Sequence, residues 1–476
     1  MADCRDYLTR SCSFDSTFEQ ILPPEQWKIY LSDDSDIKRG PKLDRATFEG
    51  FLDDDGRLVE VQSFRQAVFR GGIESDVRQD AWAFLYGLYP FQSTRRERKV
   101  LSMEYHYRYE ALKARWKALL ALTTPPNDVT ANGAEEVHLS RKSSESLHNI
   151  HEKSDVSDCR CGETDLHNRN STQNGPETKE DQRLQMECME LQARIYAERE
   201  PLDIDNMDAF KKSIRIIDKD VPRTDRDHPK FKGPNNPNLP RLRNILITFA
   251  VFHPQVTYAQ GMNDVLSRFF VVMDSEVESY WCFTLYLETI YKDFLEDGML
   301  HKLGILTQML QEIDPFLYDH LTSCEIGDLM FCHRWLLLCF KREFQYEESL
   351  MLFEIISSKH LEVSSVVAER ARDIARARDF LKAGGRQRVH AEVVRTDFTF
   401  ELFVCTTILY DNRQALLGCI DSATVFQYVV NGLSFNLDLQ HILCLAEKML
   451  LAYCRRTAVK DSFELLEHDE AFSTHS

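Results

Sequence analysis

The spacing of apolar residues is the feature that most constrains this chain. Residues 241–252, 264–273, 279–291, 299–313 and 328–343 each place them three and four apart, with Pro, Gly or Asp between the runs. That period is the signature of helices with one wide buried face. Earlier, Phe48–Leu58 reads as a short helix and an Asp-Gly turn. Val61, Phe64, Ala67 and Val68 begin a second helix, and Val77, Ala81, Trp82, Leu85 and Leu88 mark a third that stops at Pro90. A long charged helix follows through Trp116, opened by Ser93 with Glu97. Later helices are expected over Val366–Lys382, Phe398–Tyr410 and Leu437–Tyr453. No hairpin turn is flanked by alternating apolar residues, so the predicted fold class is all-α.

Composition divides the chain. Apolar residues are 43% of the 476, enough for a large core over most of the length. Residues 1–42 read as a loosely ordered leader, 123–182 as a disordered insertion rich in Asn, Ser, Glu and Thr, and 456–476 as an acidic flexible tail. Between them, 43–455 reads as one domain with a second, basic insertion at 359–397, where nine basic residues face five acidic ones up to Arg395. The thirteen scattered cysteines, with no apolar leader, point to free and mostly buried thiols in a reducing compartment, hence to a cytoplasmic location. A net charge of −18 opposes nucleic acid as a ligand and repels anionic lipid unless it is offset locally. No run reaches the roughly 20 apolar residues of a spanning helix.

Two short stretches hold the candidate chemistry. Ile217-Asp218-Lys219-Asp220-Val221-Pro222-Arg223-Thr224 follows a helix and precedes a Pro/Asn-rich loop, so Arg223 can reach outward while Asp220, three residues earlier, holds its guanidinium. The plain alternative is a surface ion pair. Tyr258-Ala259-Gln260-Gly261-Met262-Asn263-Asp264 sits at a helix start, where Gln260 offers both a donor and an acceptor and Asn263 or Asp264 serves as the cap. Its plain alternative is a capped turn with a solvated glutamine and a merely packed Tyr258.

Together these stretches resemble the two catalytic motifs of TBC domains, the Rab GTPase-activating family: Ile-x-x-Asp-x-x-Arg, filled by Ile217, Asp220 and Arg223, and Tyr-x-Gln-Gly, filled by Tyr258, Gln260 and Gly261. Gly71-Gly72-Ile73, Arg78 and Trp82 look like the family's opening signature, and Phe331–Phe344 is similar to one of its late helices. The resemblance implies a two-lobed helical fold and a partner, a GTP-bound Rab-family GTPase in membrane traffic. It implies that Arg223 supplies charge to the transition state and that Gln260 orients the attacking water. It further implies that Asp220, Thr224, Tyr258 and Gly261 support them, and that Arg78 and Trp82 pack the first lobe. The chain then needs no metal or cofactor of its own, because GTP and Mg²⁺ arrive with the partner. The resemblance implies that any recruitment to endomembranes runs through that partner. A non-catalytic scaffold for a GTPase or a tethering or autophagy factor is the alternative. The sequence departs from the family where Phe353 stands in place of a common tryptophan, and where the basic insertion lengthens a link between helices.

Smaller signals have plain readings beside the functional ones. Cys159, Cys161 and His167 lack a fourth ligand and the paired spacing of a zinc site. Arg141–Ser146 places a basic residue before serines as a phosphorylation site would, and Phe463-Glu464-Leu465-Leu466 resembles the short motif read by autophagy ubiquitin-like proteins. The arginine-rich run Arg370–Arg388 is either a lipid or GTPase contact or a solvated helix face.

Overall fold

A computed structural model describes residues 37–123, 179–201, 207–382 and 397–455. The zinc candidates, the serine run, Phe463–Leu466, the first 36 residues and the tail lie outside the described residues. The rest fall into two compact units, Glu110–Arg199 and the remainder. In the smaller unit Leu112, Trp116, Ala193 and Ala197 are buried, and Arg115 donates to the Ala197 carbonyl.

The larger unit is a succession of helices: α1 Arg45–Gly50, α2 Val61–Gly71, α3 Arg78–Leu85 and the start of α4 Arg95–Thr123, then, after α5 Lys179–Arg199 of the smaller unit, α6 Met207–Asp220, α7 Asn238–Phe252, α8 Met262–Met273, α9 Glu276–Ile290, α10 Glu296–Ile313, α11 Pro315–Ser323, α12 His333–Leu337, α13 Tyr346–Ser357, α14 Val366–Lys382 and α15 Phe400–Asp411. A last helix covers 439–455. Among the described residues strand pairing is limited to two isolated bridges, Leu43 with Ile73 and Leu52 with Leu58. The fold is all-α.

Five expectations change. The run 328–343 is not one helix: Met330–Cys332 is a 3₁₀ turn, α12 follows, and Cys339 and Phe340 turn left-handed at φ 44° and 54°. The buried Arg268 guanidinium takes the Leu338 and Cys339 carbonyls (2.7 and 3.1 Å), so those acceptors leave the helical ladder. The N-terminal residue of the α4 capping box is Thr94 rather than Ser93; its hydroxyl accepts from the Glu97 amide, and Glu97 accepts from the Thr94 amide at 2.7 Å. Residues 39–42 are docked rather than loose, since the Gly40 amide donates to the Arg70 carbonyl at 2.9 Å and Arg39 faces Glu447. Helix α5 begins at Lys179, inside the stretch expected to be disordered. Helix α14 is only partly solvated, because Ala368, Ala371, Ala375 and Arg372 are buried and Arg372 donates to the Val363 carbonyl at 2.7 Å.

One part of the core explains the opening signature. A Cβ on Gly71 would stand 1.8 Å from the Pro41 carbonyl oxygen, and Gly72 adopts φ +72° with Met351 against its face. The turn they allow points the Ile73 amide at the buried Glu354 carboxylate (3.1 Å), which also accepts from Arg78 Nε at 2.7 Å and Trp82 Nε1 at 2.8 Å. Burial pushes the Glu354 carboxyl up to about 7 against the pull of Arg78. Phe353 stacks on Tyr86 at 5.3 Å, meets Phe269 edge-on at 5.7 Å and carries Arg268 over its ring at 4.7 Å, so the smaller aromatic is fully engaged. A second apolar body gathers Trp335, Phe340, Phe403, Ile408, Leu443 and Leu450 from the C-terminal helices.

Candidate functional site

Helix α6 ends because Pro222 has no amide to extend the ladder. A 3₁₀ turn, Val221–Arg223, completes it, and the Thr224 hydroxyl donates to the free Asp220 carbonyl at 3.0 Å. Ile217 and Val221 anchor this end in the core. Arg223 is thereby turned outward, its side chain 49% exposed, while Asp220 beneath it is 3% exposed and accepts from Arg223 Nη2 at 2.6 Å.

The second loop joins α7 to α8. Gly261 is the N-terminal residue flanking α8, at φ +107°, and a Cβ there would lie 3.2 Å from Leu338 Cδ2. The positive φ favours glycine, and the leucine leaves little room for a side chain. Gln260, just before it, is exposed, and no side chain among the described residues hydrogen-bonds to it. The expected cap by Asn263 or Asp264 is not made, for both side chains are engaged elsewhere. Asn263 Oδ1 accepts from the Gly261 amide at 3.3 Å, and its Nδ2 donates across to Thr224 Oγ1 at 2.9 Å. Asp264 pairs with Lys341 and Arg342, each at 3.1 Å.

These contacts join loops nearly forty residues apart in sequence. The Tyr258 hydroxyl donates to Asp220 Oδ2 at 2.8 Å and lies 3.2 Å from Asn263 Oδ1. Burial, reinforced by the Asp220 carboxylate, pushes the phenol far above its usual range and keeps it a donor. A third link is the Lys341 ammonium, 4% exposed, which donates to Asp225 Oδ2 (2.7 Å), Ser267 Oγ (2.8 Å) and the Asp264 carbonyl and Oδ1 (3.0 and 3.1 Å). Burial opposes the charged Asp264, but Lys341 and Arg342 hold its carboxyl below the usual range. Asp225, in the left-handed region at φ 40°, is thus held two residues beyond Arg223, and Asp264 four beyond Gln260.

Of the residues singled out in the sequence, Asp220, Arg223, Thr224, Tyr258, Gln260 and Gly261 come together here. Gly71, Gly72, Arg78 and Trp82 form the separate cluster around Glu354. The bridging part of Asn263 and the roles of Lys341 and Glu354 were missed. A lysine directly after Trp335-Leu336-Leu337-Leu338-Cys339-Phe340 was a signal that it is buried and paired.

Comparison with known proteins finds likeness to one domain family over the stretch that holds both loops. Residues 166–370, which include both loops, match the model of the Rab-GTPase-TBC domain. The chain is 27% identical over 345 residues to TBC1 domain family member 17 of Homo sapiens, covering 71% of this chain and 41% of that protein. It is 28% identical over 362 residues to the GTPase-activating protein GYP7 of Saccharomyces cerevisiae, covering 73% and 42%. It therefore spans about two fifths of the length of these relatives. The crystal structure of the Ypt/Rab-GAP domain of GYP1P superposes with a TM-score of 0.51 at 17% identity, covering 87% of this chain and 97% of that one, which establishes a shared fold. In its domain match, its relatives and its fold, the chain is similar to TBC-domain proteins.

Proposed function

We propose that this chain accelerates GTP hydrolysis on a Rab-family GTPase by inserting Arg223 and Gln260 together into the partner's nucleotide pocket. One observation carries the reading: both side chains are exposed, on loops joined by the Tyr258–Asp220 and Asn263–Thr224 bonds. Phosphoryl transfer to water builds charge on the γ-phosphoryl and bridging oxygens, and a guanidinium delivered there lowers the barrier without reorganising. Gln260 has a carbonyl to accept from the attacking water and an amide to donate to the phosphoryl group. GTP and Mg²⁺ come with the partner, and the chain reaches a membrane through it. Among the described residues no helix is long and apolar enough to cross one.

Single-turnover hydrolysis on a panel of GTP-loaded Rab proteins tests the reading. Wild type accelerates at least one member, and Arg223→Ala and Gln260→Ala each lose at least about tenfold of that while still binding it; an arginine finger in trans is worth roughly 10³–10⁵. Equal rates for wild type and variants on every GTPase bound would leave a scaffold that does not catalyse.

A further inference from the structure

Helix α6, which ends at the Arg223 turn, carries a cationic face that no ion pair among the described residues neutralises. The chain as a whole has a net charge of −18, yet residues 207–243 hold ten Lys and Arg against five Asp and Glu. Some of these cations are committed: Arg243 to Asp218, Lys230 to Asp274 and Arg241 to Glu276. Lys212, Arg215 and Lys219 are not. All three are exposed, and among the described residues none forms an ion pair. At 100° per residue they fall within about 60° of one another, opposite the buried Ile217 and Ser213; exposed Asp208, four residues before Lys212, falls in the same arc and leaves it three positive charges against one negative. Exposed Arg226, whose Nε donates to the Pro222 carbonyl at 3.0 Å, continues the face beyond Arg223.

We infer that Lys212, Arg215, Lys219 and Arg226 form a docking and steering surface for an acidic patch on the GTP-bound GTPase, beside its nucleotide pocket. The inference rests on the proposed function and deepens it. Continuity with Arg223 favours a GTPase over other anionic partners: the helix ends where its finger begins, so a protein receiving Arg223 meets Lys219 and Arg226 first. At 1.5 Å rise per residue Lys219 stands about 6 Å before Arg223 along the axis, Arg215 about 12 Å and Lys212 about 16 Å. The Debye length at physiological salt is about 8 Å, so the contribution falls in that order. An opposed charge of this kind raises the association rate and contributes little to the chemical step.

The test uses the full chain and Rab proteins loaded with a non-hydrolysable GTP analogue, with association rates measured from low to high salt. The expected result is that Lys212→Glu/Arg215→Glu/Lys219→Glu slows association about tenfold or more at low salt, with the deficit shrinking as salt rises. The matching glutamine variant falls between it and wild type, and Lys219→Glu alone exceeds Lys212→Glu alone. With GTP, kcat/KM follows the association rate while kcat stays within about twofold. A reversed variant that associates at the wild-type rate, with the wild-type salt dependence, on every GTPase bound overturns the inference. So does one that loses only its binding to phosphatidylserine vesicles, which would make the face a lipid contact. Gln260→Ala, run in parallel, separates the two readings: it removes no charge, so association stays within about twofold while hydrolysis falls, and unchanged hydrolysis would defeat the proposed function without touching the association result.

Discussion

Two of the buried charged nodes among the described residues differ in what they hold. Around Glu354 an anion collects donors from Arg78, Trp82 and the Ile73 amide, tying the Gly71–Gly72 turn to α13. Around Lys341 a cation collects Asp225 and Asp264, one from each of the two candidate loops. A buried charge costs several kcal/mol of desolvation, so neither node is explained by stability alone. The first fixes core against core. The second fixes the relative position of the two candidate loops, so on the proposed function its failure would appear in GTP hydrolysis as well as in folding.

Substitutions can break that contrast. The largest effect belongs to Arg223→Ala, with hydrolysis falling by up to about 10³–10⁵ and little change in melting temperature, since the side chain is half-exposed. Lys341→Met leaves two carboxylates without their shared cation, costs about 3–5 kcal/mol in chemical denaturation, and lowers single-turnover acceleration at least about tenfold in the fraction that remains folded. Glu354→Gln disturbs the bonds from Arg78, Trp82 and the Ile73 amide at a cost of about 2–3 kcal/mol but leaves acceleration per folded molecule near wild type. An equal loss of acceleration in both variants would erase the distinction between the nodes. Tyr258→Phe removes the bond to Asp220, costing about 1 kcal/mol of stability and reducing hydrolysis more than GTPase binding.

The smallest effect is a pH slope. Glu354 is raised from an ordinary 4.5 to about 7, so the folded state holds this proton more tightly than the unfolded one. Stability from this group is therefore greatest below about 4.5 and declines as pH rises towards 7. Denaturation of wild type minus Glu354→Gln across that window isolates the slope, and a difference that rises with pH would contradict the assigned direction.

Helices α7 to α10 were legible because each carries its own apolar face, and period alone reports that. The break after α12 was not, because Arg268 imposes it from seventy residues away. The candidate site divides in the same way. Asp220 with Arg223 is a contact within one turn and can be read from spacing. The partners of Tyr258, Asn263 and Lys341 lie across loops that only the folded chain brings together. The glycine pair stood out in sequence, but its reasons, the Pro41 carbonyl and the Met351 side chain, are tertiary.

Asp220 uses its two oxygens for different things: Oδ1 takes the guanidinium and Oδ2 the phenol. On the proposed reading, Arg223 can swing away into a partner and leave the carboxylate with a donor still in place. The acid then acts as a parking bay, keeping a long, otherwise wandering side chain aimed before the encounter and surrendering it cheaply when the pocket arrives.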